Sequence, residues 1–292
     1  MTETLAVATR RGSMLRIAVR GNPLLVAGLV LATALVVIAI FAPLIAPYPG
    51  DAGSATHPLE SFLPPSSHHW FGTDDVGRDV FSRVVYGARI SLSVAALVIA
   101  FSCVVGIPLG IVAGYFGGIV DNVLMRVTDI FLAFPALLLA LALASVLTPS
   151  IGNATLAIAV TWWPWYARLA RGQAASVAGR PYIESCRALG ISPLRTLFRH
   201  VLPNSVTPVI VQASLDVGGV ILTAAALSFL GLGAQDPTPE WGLLVSKGEA
   251  YFTTQWWLVT FPGAAILIAA LAYNLVGDGL RDRLDPRRVA RR

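Results

Sequence analysis

Long apolar runs alternate with short polar stretches along this chain, and the runs have a telling length. The first, Pro23–Ile45, is apolar almost without a break. About 20 consecutive apolar residues cross the hydrocarbon core of a bilayer, so this run predicts a membrane span. A cleaved signal peptide has a shorter apolar core, about 7–15 residues, and is the weaker alternative. Pro43, Pro47 and Pro49 end the run. Further runs predict spans over residues 90–113, 130–147, 151–169, 205–230 and 256–276. The expected fold class is therefore all-α: a polytopic membrane protein with six transmembrane helices.

The polar intervals divide the rest. Residues 1–22 form an Arg-bearing N-terminal segment, and residues 23–46 the first span. Residues 47–86 are rich in Pro, Gly and His and read as a loop outside the bilayer. Thr73 or Asp74 is placed to cap a helix there. Val80, Phe81, Val84 and Val85 would give that helix an apolar side suited to the interface. Local ion pairs among Asp75, Asp79 and Arg83 are expected, each worth little. A core of five spans covers residues 87–280, and a tail covers residues 281–292.

Within the core, residues 171–203 break the apolar pattern. Pro181 suits a first helical turn, and Gly190 the left-handed position after a helix end. Ser192 and Pro193 read as a cap and first turn. Leu194, Leu197, Phe198 and Val201 recur at the spacing of one helix face, and Pro203 closes the unit. The pattern predicts a compact knob of two short helices between two spans.

Three residues mark the fifth span: Gln212, Asp216 and Thr223 share a stripe with Gly219. An acid at membrane depth is costly and faces a bundle interior or an aqueous cavity. The stripe is a candidate lining for a translocation pathway, and a helix–helix hydrogen bond is the other reading. Gly106, Pro108, Gly110 and Gly114 interrupt the second span, which close helix packing tolerates. Trp162, Trp163, Trp165 and Tyr166 resemble an interfacial belt. Arg126 and Asp129 are spaced to pair on a helix.

Charge sets the topology. Of 21 basic residues, 17 fall on the side shared by both termini and the knob: Arg10, Arg11, Arg16, Arg20, Arg126, six in the knob region and six in the tail. Only Arg78, Arg83, Arg89 and Lys247 fall on the other side. The positive-inside rule then puts the knob and both termini in the cytoplasm. Composition agrees with a membrane protein: 55% of residues are hydrophobic and 13% charged, against about 25% charged in soluble domains. The net charge of +5 lies beside apolar spans, so it speaks for topology and not for nucleic acid.

Four stretches resemble one family. Glu184, Gly190 and Leu202-Pro203 are similar to the "EAA" loop of binding-protein-dependent ABC importer permeases. Ser185-Cys186 and His200 depart from that family's usual residues. The Phe71-Gly72-Thr73-Asp74, Gly77-Arg78-Asp79 and Ser82-Arg83 series resembles C-type subunits of dipeptide, oligopeptide and nickel importers. The segments 230–235 and 237–242 and the tail 274–286 resemble the same subunits, so the likeness covers residues 70–286. Arg-rich, Lys-poor usage fits a GC-rich genome, and the match is with actinobacterial dipeptide permeases.

The resemblance implies a type I ABC importer fold in a bacterial inner membrane. It makes the Glu184–Pro203 loop a coupling helix on a cytoplasmic ATPase, carried by Glu184, Ala188, Leu189, Gly190, Ile191, Ser192, Leu202 and Pro203. Glu184 has an alternative role as a cap or as a partner of Arg187. The implied partners are a B-type second permease subunit, two ATP-binding subunits or one fused ATPase, an extracellular substrate-binding lipoprotein, a peptide substrate and the lipid bilayer. Asp216 would match a peptide's ammonium, with Gln212 and Thr223 bonding its backbone. Nickel or another small solute is the alternative cargo.

Chemistry of other kinds is not encoded in recognisable form. A phosphate-binding loop needs Gly-Lys-Ser/Thr, and the one lysine, Lys247, follows Ser246. No catalytic constellation, cofactor site or metal set stands out, and the chain is expected not to be an enzyme. His57, His68 and His69 read as solvated loop histidines. An ion-coupled secondary transporter would need several intramembrane ionisable groups and often an inverted repeat. Cys103 and Cys186 read as structural.

Overall fold

The computed structural model describes residues 23–284. The expected segment 1–22, with its four arginines, and the tail from residue 285 on lie outside the described residues. Among the described residues the regular structure is helical, apart from an isolated bridge between Thr73 and Asp79. Helix α1 is Pro23–Ile45 and α2 is Val80–Phe116. Next come α3 (Gly118–Leu132), α4 (Ala136–Val146) and α5 (Ile151–Ala178). The knob holds α6 (Pro181–Ala188), α7 (Pro193–Thr196), a π-turn (Leu197–Val201) and α8 (Leu202–Ser205). Helices α9 (Thr207–Phe229), α10 (Trp241–Glu249) and α11 (Trp257–Leu284) complete the chain.

Four described helices, α1, α2, α9 and α11, are each long and apolar enough to cross a membrane. The expected third span is not one rod. Helices α3 and α4 meet at a bend of 81°, and together they count as a fifth candidate. Pro135 explains the break, because the residue before a proline, here Phe134, is pushed out of helical backbone. The expected fourth span lies in α5, whose 28 residues make about 42 Å of helix. Apolarity alone does not mark α5, since Asn153, Thr155, Thr161, Arg168 and Arg171 dilute it.

Helix α5 is held instead by a close seam with α2. Gly106, Gly110 and Gly114 fall every four residues on α2 and face the carbonyls of Trp163, Ala167 and Arg171 on α5. A Cβ at Gly106 would sit 2.6 Å from the Trp163 carbonyl oxygen. The glycines let the two backbones touch, the packing by which membrane helices associate without a hydrophobic drive. Beside this seam, one apolar core joins α1, α2, α4, α5, α9 and α11 around Trp241. A second core lies under the knob.

The loop before α2 is more ordered than its composition suggests. Asp79 caps α2 by accepting from the Ser82 N–H at 2.7 Å, so neither Thr73 nor Asp74 is the cap. The expected interfacial helix is the first turns of α2 itself. The expected pairs are also redistributed: Asp74 takes Arg78 at 2.7 Å and Arg83 at 3.7 Å. Asp51 accepts from the Asp79 N–H at 2.8 Å, and Arg83 donates to the Asp51 carbonyl at 3.0 Å. His69 is buried against Asp79, 3.0 Å away, whereas His68 is exposed, and so is His57 although it lies 3.0 Å from Asp51. Among the described residues no group of three or more His, Cys, Asp or Glu side chains is arranged to hold a metal.

Candidate functional site

The knob is built as its turn residues require. Pro181 starts α6 after Arg180 in extended backbone. Gly190 ends it at φ +71°, in the left-handed region that favours glycine. Ser192 leads into α7 with Pro193 at the first turn, although its hydroxyl makes no capping bond. The expected single apolar face is split by the π-turn. Leu197 and Val201 point inward and are buried, whereas Leu194 and Phe198 are more than 60% exposed. The inserted residue of a π-turn rotates the face, and sequence spacing assumes a regular helix.

The root of the knob is fixed in the bundle. Ile183, Leu197 and Val201 insert among Ile111 and Tyr115 of α2 and Ala170, Ala174 and Val177 of α5. Arg187 lies over the Tyr115 ring, 5.4 Å from its centroid. It does not pair with Glu184, which is exposed. Ala188, Leu189, Gly190 and Ser192 are exposed beside it, Ile191 is half-buried, and Leu189 is 79% exposed. Leu202 is half-buried and packs on the inner core, and Pro203 is exposed.

The polar stripe on α9 is also present. Gln212 donates to the Asp216 Oδ1 at 2.8 Å. Trp162 and Tyr166 of α5 approach the same carboxylate, and Cys103 of α2 lies within reach of its charge. The Tyr166 hydroxyl and Asp216 Oδ2 are both buried without a hydrogen-bond partner. Thr223 turns its hydroxyl back to the Gly219 carbonyl at 2.8 Å. Asp216 therefore sits between helices of its own chain, while Gln212 also borders a cavity of about 350 Å³ with Leu169, Thr207, Val211, Leu215 and Arg281.

Two features went unread in the sequence. Asp129 pairs with Arg168 rather than Arg126, and Asp121 binds Arg171 through two oxygens, at 3.0 and 2.5 Å. These tie α3 to the knob end of α5. Glu240 is buried, caps α10 through the Leu243 N–H at 2.9 Å and receives Ser91 of α2 at 3.3 Å. Burial holds its carboxyl above the usual range, partly offset by those bonds. Asp121 and Asp129 were visible as acids on a helix and Glu240 as an acid in a polar loop, but Arg171, Arg168 and Ser91 lie on distant helices.

A membrane-spanning helical bundle carrying a polar stripe and a seated, projecting knob is the architecture of a transport permease subunit. Residues 106–290 match the binding-protein-dependent transport system inner membrane component family, and residues 14–65 match the N-terminal TM domain of oligopeptide transport permease C. The chain belongs to this family of ABC importer permeases. It is 50% identical over 273 residues to the dipeptide transport system permease protein DppC of Escherichia coli K12, covering 90% of this chain and 88% of that one. It is 46% identical over 266 residues to DppC of Alkalihalophilus pseudofirmus, covering 91% and 86%. It is also 46% identical over 290 residues to the probable D,D-dipeptide transport system permease protein DdpC of E. coli K12, covering 98% and 96%. An inward-facing structure of the MetNI methionine ABC transporter shares the fold at a TM-score of 0.54 and 18% identity, over 69% of this chain and 96% of that one. The chain is thus a multi-pass inner-membrane transporter subunit of type I importer fold, not an enzyme. Its family works with a partner permease, ATPase subunits and a binding protein.

Proposed function

We propose that the chain forms half of the translocation pathway of a dipeptide and oligopeptide importer. The partner half is a B-type permease, and an extracellular lipoprotein delivers the peptide. Two ATP-binding subunits, or one fused ATPase, dock on the knob from the cytoplasm, where both termini also lie. The support for cargo is the run of dipeptide permeases at 46–50% identity over nine-tenths or more of this chain. The support for orientation is the arginine asymmetry of the sequence.

One observation carries the coupling role. The knob has a buried root (Ile183, Leu197, Val201) and an exposed tip (Leu189, Leu194, Phe198). An apolar tip on a rigid root suits a groove on another protein, because large exposed apolar side chains in a cluster mark interaction sites. Glu184 stands free beside that tip for a polar contact. When ATP closes the ATPases, the knob moves as a body, and α2 and α5 move with it. Gln212, Asp216 and Thr223 are the candidate pathway residues. Gln212 reaches the cavity directly; Asp216 orients it and supplies the negative charge that an ammonium group seeks.

The test is uptake of a labelled dipeptide into vesicles holding the assembled transporter, with its binding protein and ATP. Uptake that requires both supports the reading. ATP-independent uptake, or ATP-dependent uptake of other solutes only, removes it.

A further inference from the structure

A slot of about 410 Å³ runs between α1, α2 and α11. Helix α1 lines it from Leu31 to Ile38, α2 from Phe81 to Ala88 and α11 from Phe261 to Ile268. Each stretch advances seven residues, about 10 Å of helix rise. The slot is therefore a narrow groove along the helix axes, and its volume over that length gives a cross-section of about 40 Å². All three helices are among those suited to cross a bilayer, and residues 81–88 are the interfacial first turns of α2, so the groove runs inward from the interface.

Its chemistry excludes most occupants. The lining side chains are apolar, and the indole N–H of Trp241 is already given to the Val84 carbonyl at 2.9 Å. Water needs two or more polar partners to stay in such a space, and polar ligands need the same. A helix with its side chains measures about 10–12 Å across, so it would cover the slot rather than fill it. An extended hydrocarbon chain parallel to the helices fits in length, width and polarity.

One end is finished with aromatics. Phe71 stacks on Phe261 at 3.8 Å, Phe81 meets Phe71 edge-on at 5.0 Å, and exposed Trp70 meets Phe81 at 4.8 Å. Of these rings Trp70 is the kind that sits where membrane meets headgroup. The slot also follows the junction between α1, which a separate N-terminal model covers, and the permease core. We propose that it binds an acyl chain of a bilayer phospholipid, which packs α1 onto the core with its headgroup at the Trp70 end. Bilayer lipid gains no water-exclusion energy by entering; close contact with the three helices retains it.

The assembled transporter would be placed in phosphatidylethanolamine–phosphatidylglycerol vesicles doped with a phospholipid carrying a diazirine in its acyl chain. After irradiation, adducts would be mapped by mass spectrometry. Adduct density on the lining residues Leu35, Ile38, Phe81, Val85 and Ala264 should exceed that on exposed Val30 and Ile40 several-fold. Ala265→Phe fills the groove and should cut the groove adducts at least five-fold while leaving those at Ile40 unchanged. Equal density on groove and exposed surface, adducts indifferent to Ala265→Phe, or groove residues cross-linked to another protein chain would overturn the proposal. If Ala265→Phe does not assemble, the wild-type adduct map decides by itself.

Discussion

Arg187 of the knob stacks over Tyr115 near the end of α2, with its guanidinium carbon 5.4 Å from the ring centroid. The contact joins the first knob helix to the longest helix of the bundle, directly above the buried Ile183. A cation over a ring contributes about 0.5–2 kcal/mol, less than the apolar burial beneath it. The knob's rigidity therefore rests mainly on its root.

That ranking gives the first prediction. Ile183 is fully buried, and truncating a buried Ile to Ala costs about 2–5 kcal/mol. Ile183→Ala should lower ATP-driven uptake several-fold while membrane levels of the chain stay constant. Arg187→Ala should have the smaller effect. Uptake assays with immunoblotting of the membrane fraction would measure both, and the reverse ranking would contradict a root-held knob.

At Gly190 the backbone, not space, sets the constraint. Its φ is +71°, yet an added Cβ would meet no atom within 4 Å. Gly190→Ala should cost about 1–2 kcal/mol of left-handed strain, and Gly190→Asn less. Thermal unfolding of the purified transporter would rank them. Equal melting of all three proteins would show that the turn tolerates another conformation.

The α2–α5 seam makes a paired prediction. Gly110→Ala drives a methyl group into the Ala167 carbonyl and should impair assembly. Gly172→Ala, on α5 with nothing within 4 Å, should be neutral or slightly stabilising, since Ala is the better helix former. Size-exclusion profiles of the detergent-solubilised transporter would separate the two.

Asp216 is tested by its charge. Asp216→Asn keeps the size and a hydrogen bond to Gln212 and removes the carboxylate. Uptake should fall several-fold with assembly intact, and Tyr166→Phe should fall less. Undiminished uptake across a panel of dipeptides would leave Asp216 as a helix–helix contact only.

How much of this was legible follows from the range of each interaction. Apolar run length located α1, α2, α9 and α11, because a bilayer reads single helices. Local backbone chemistry located Pro181, Gly190 and Pro193. The pairing of Asp129 with Arg168 and of Asp121 with Arg171 was not legible, because the partners lie 39 and 50 residues apart on crossing helices. A helical i, i+3 rule pointed to Arg126 instead. The division of Leu194 and Phe198 from Leu197 and Val201 was hidden by the π-turn, which no spacing announces. His69 was misplaced as solvated for a similar reason: its partner Asp79 is brought to it by the fold of the loop.

The most direct check of the account is whether the knob's tip holds the ATPase. Affinity-purified transporter would be compared with a Leu189→Asp/Phe198→Asp variant, scoring ATPase subunits recovered per permease. Both side chains are exposed, so the permease itself should fold and insert as before. The account predicts that ATPase recovery and ATP-driven uptake collapse together in the variant. Full recovery of the ATPase with undiminished uptake would contradict it.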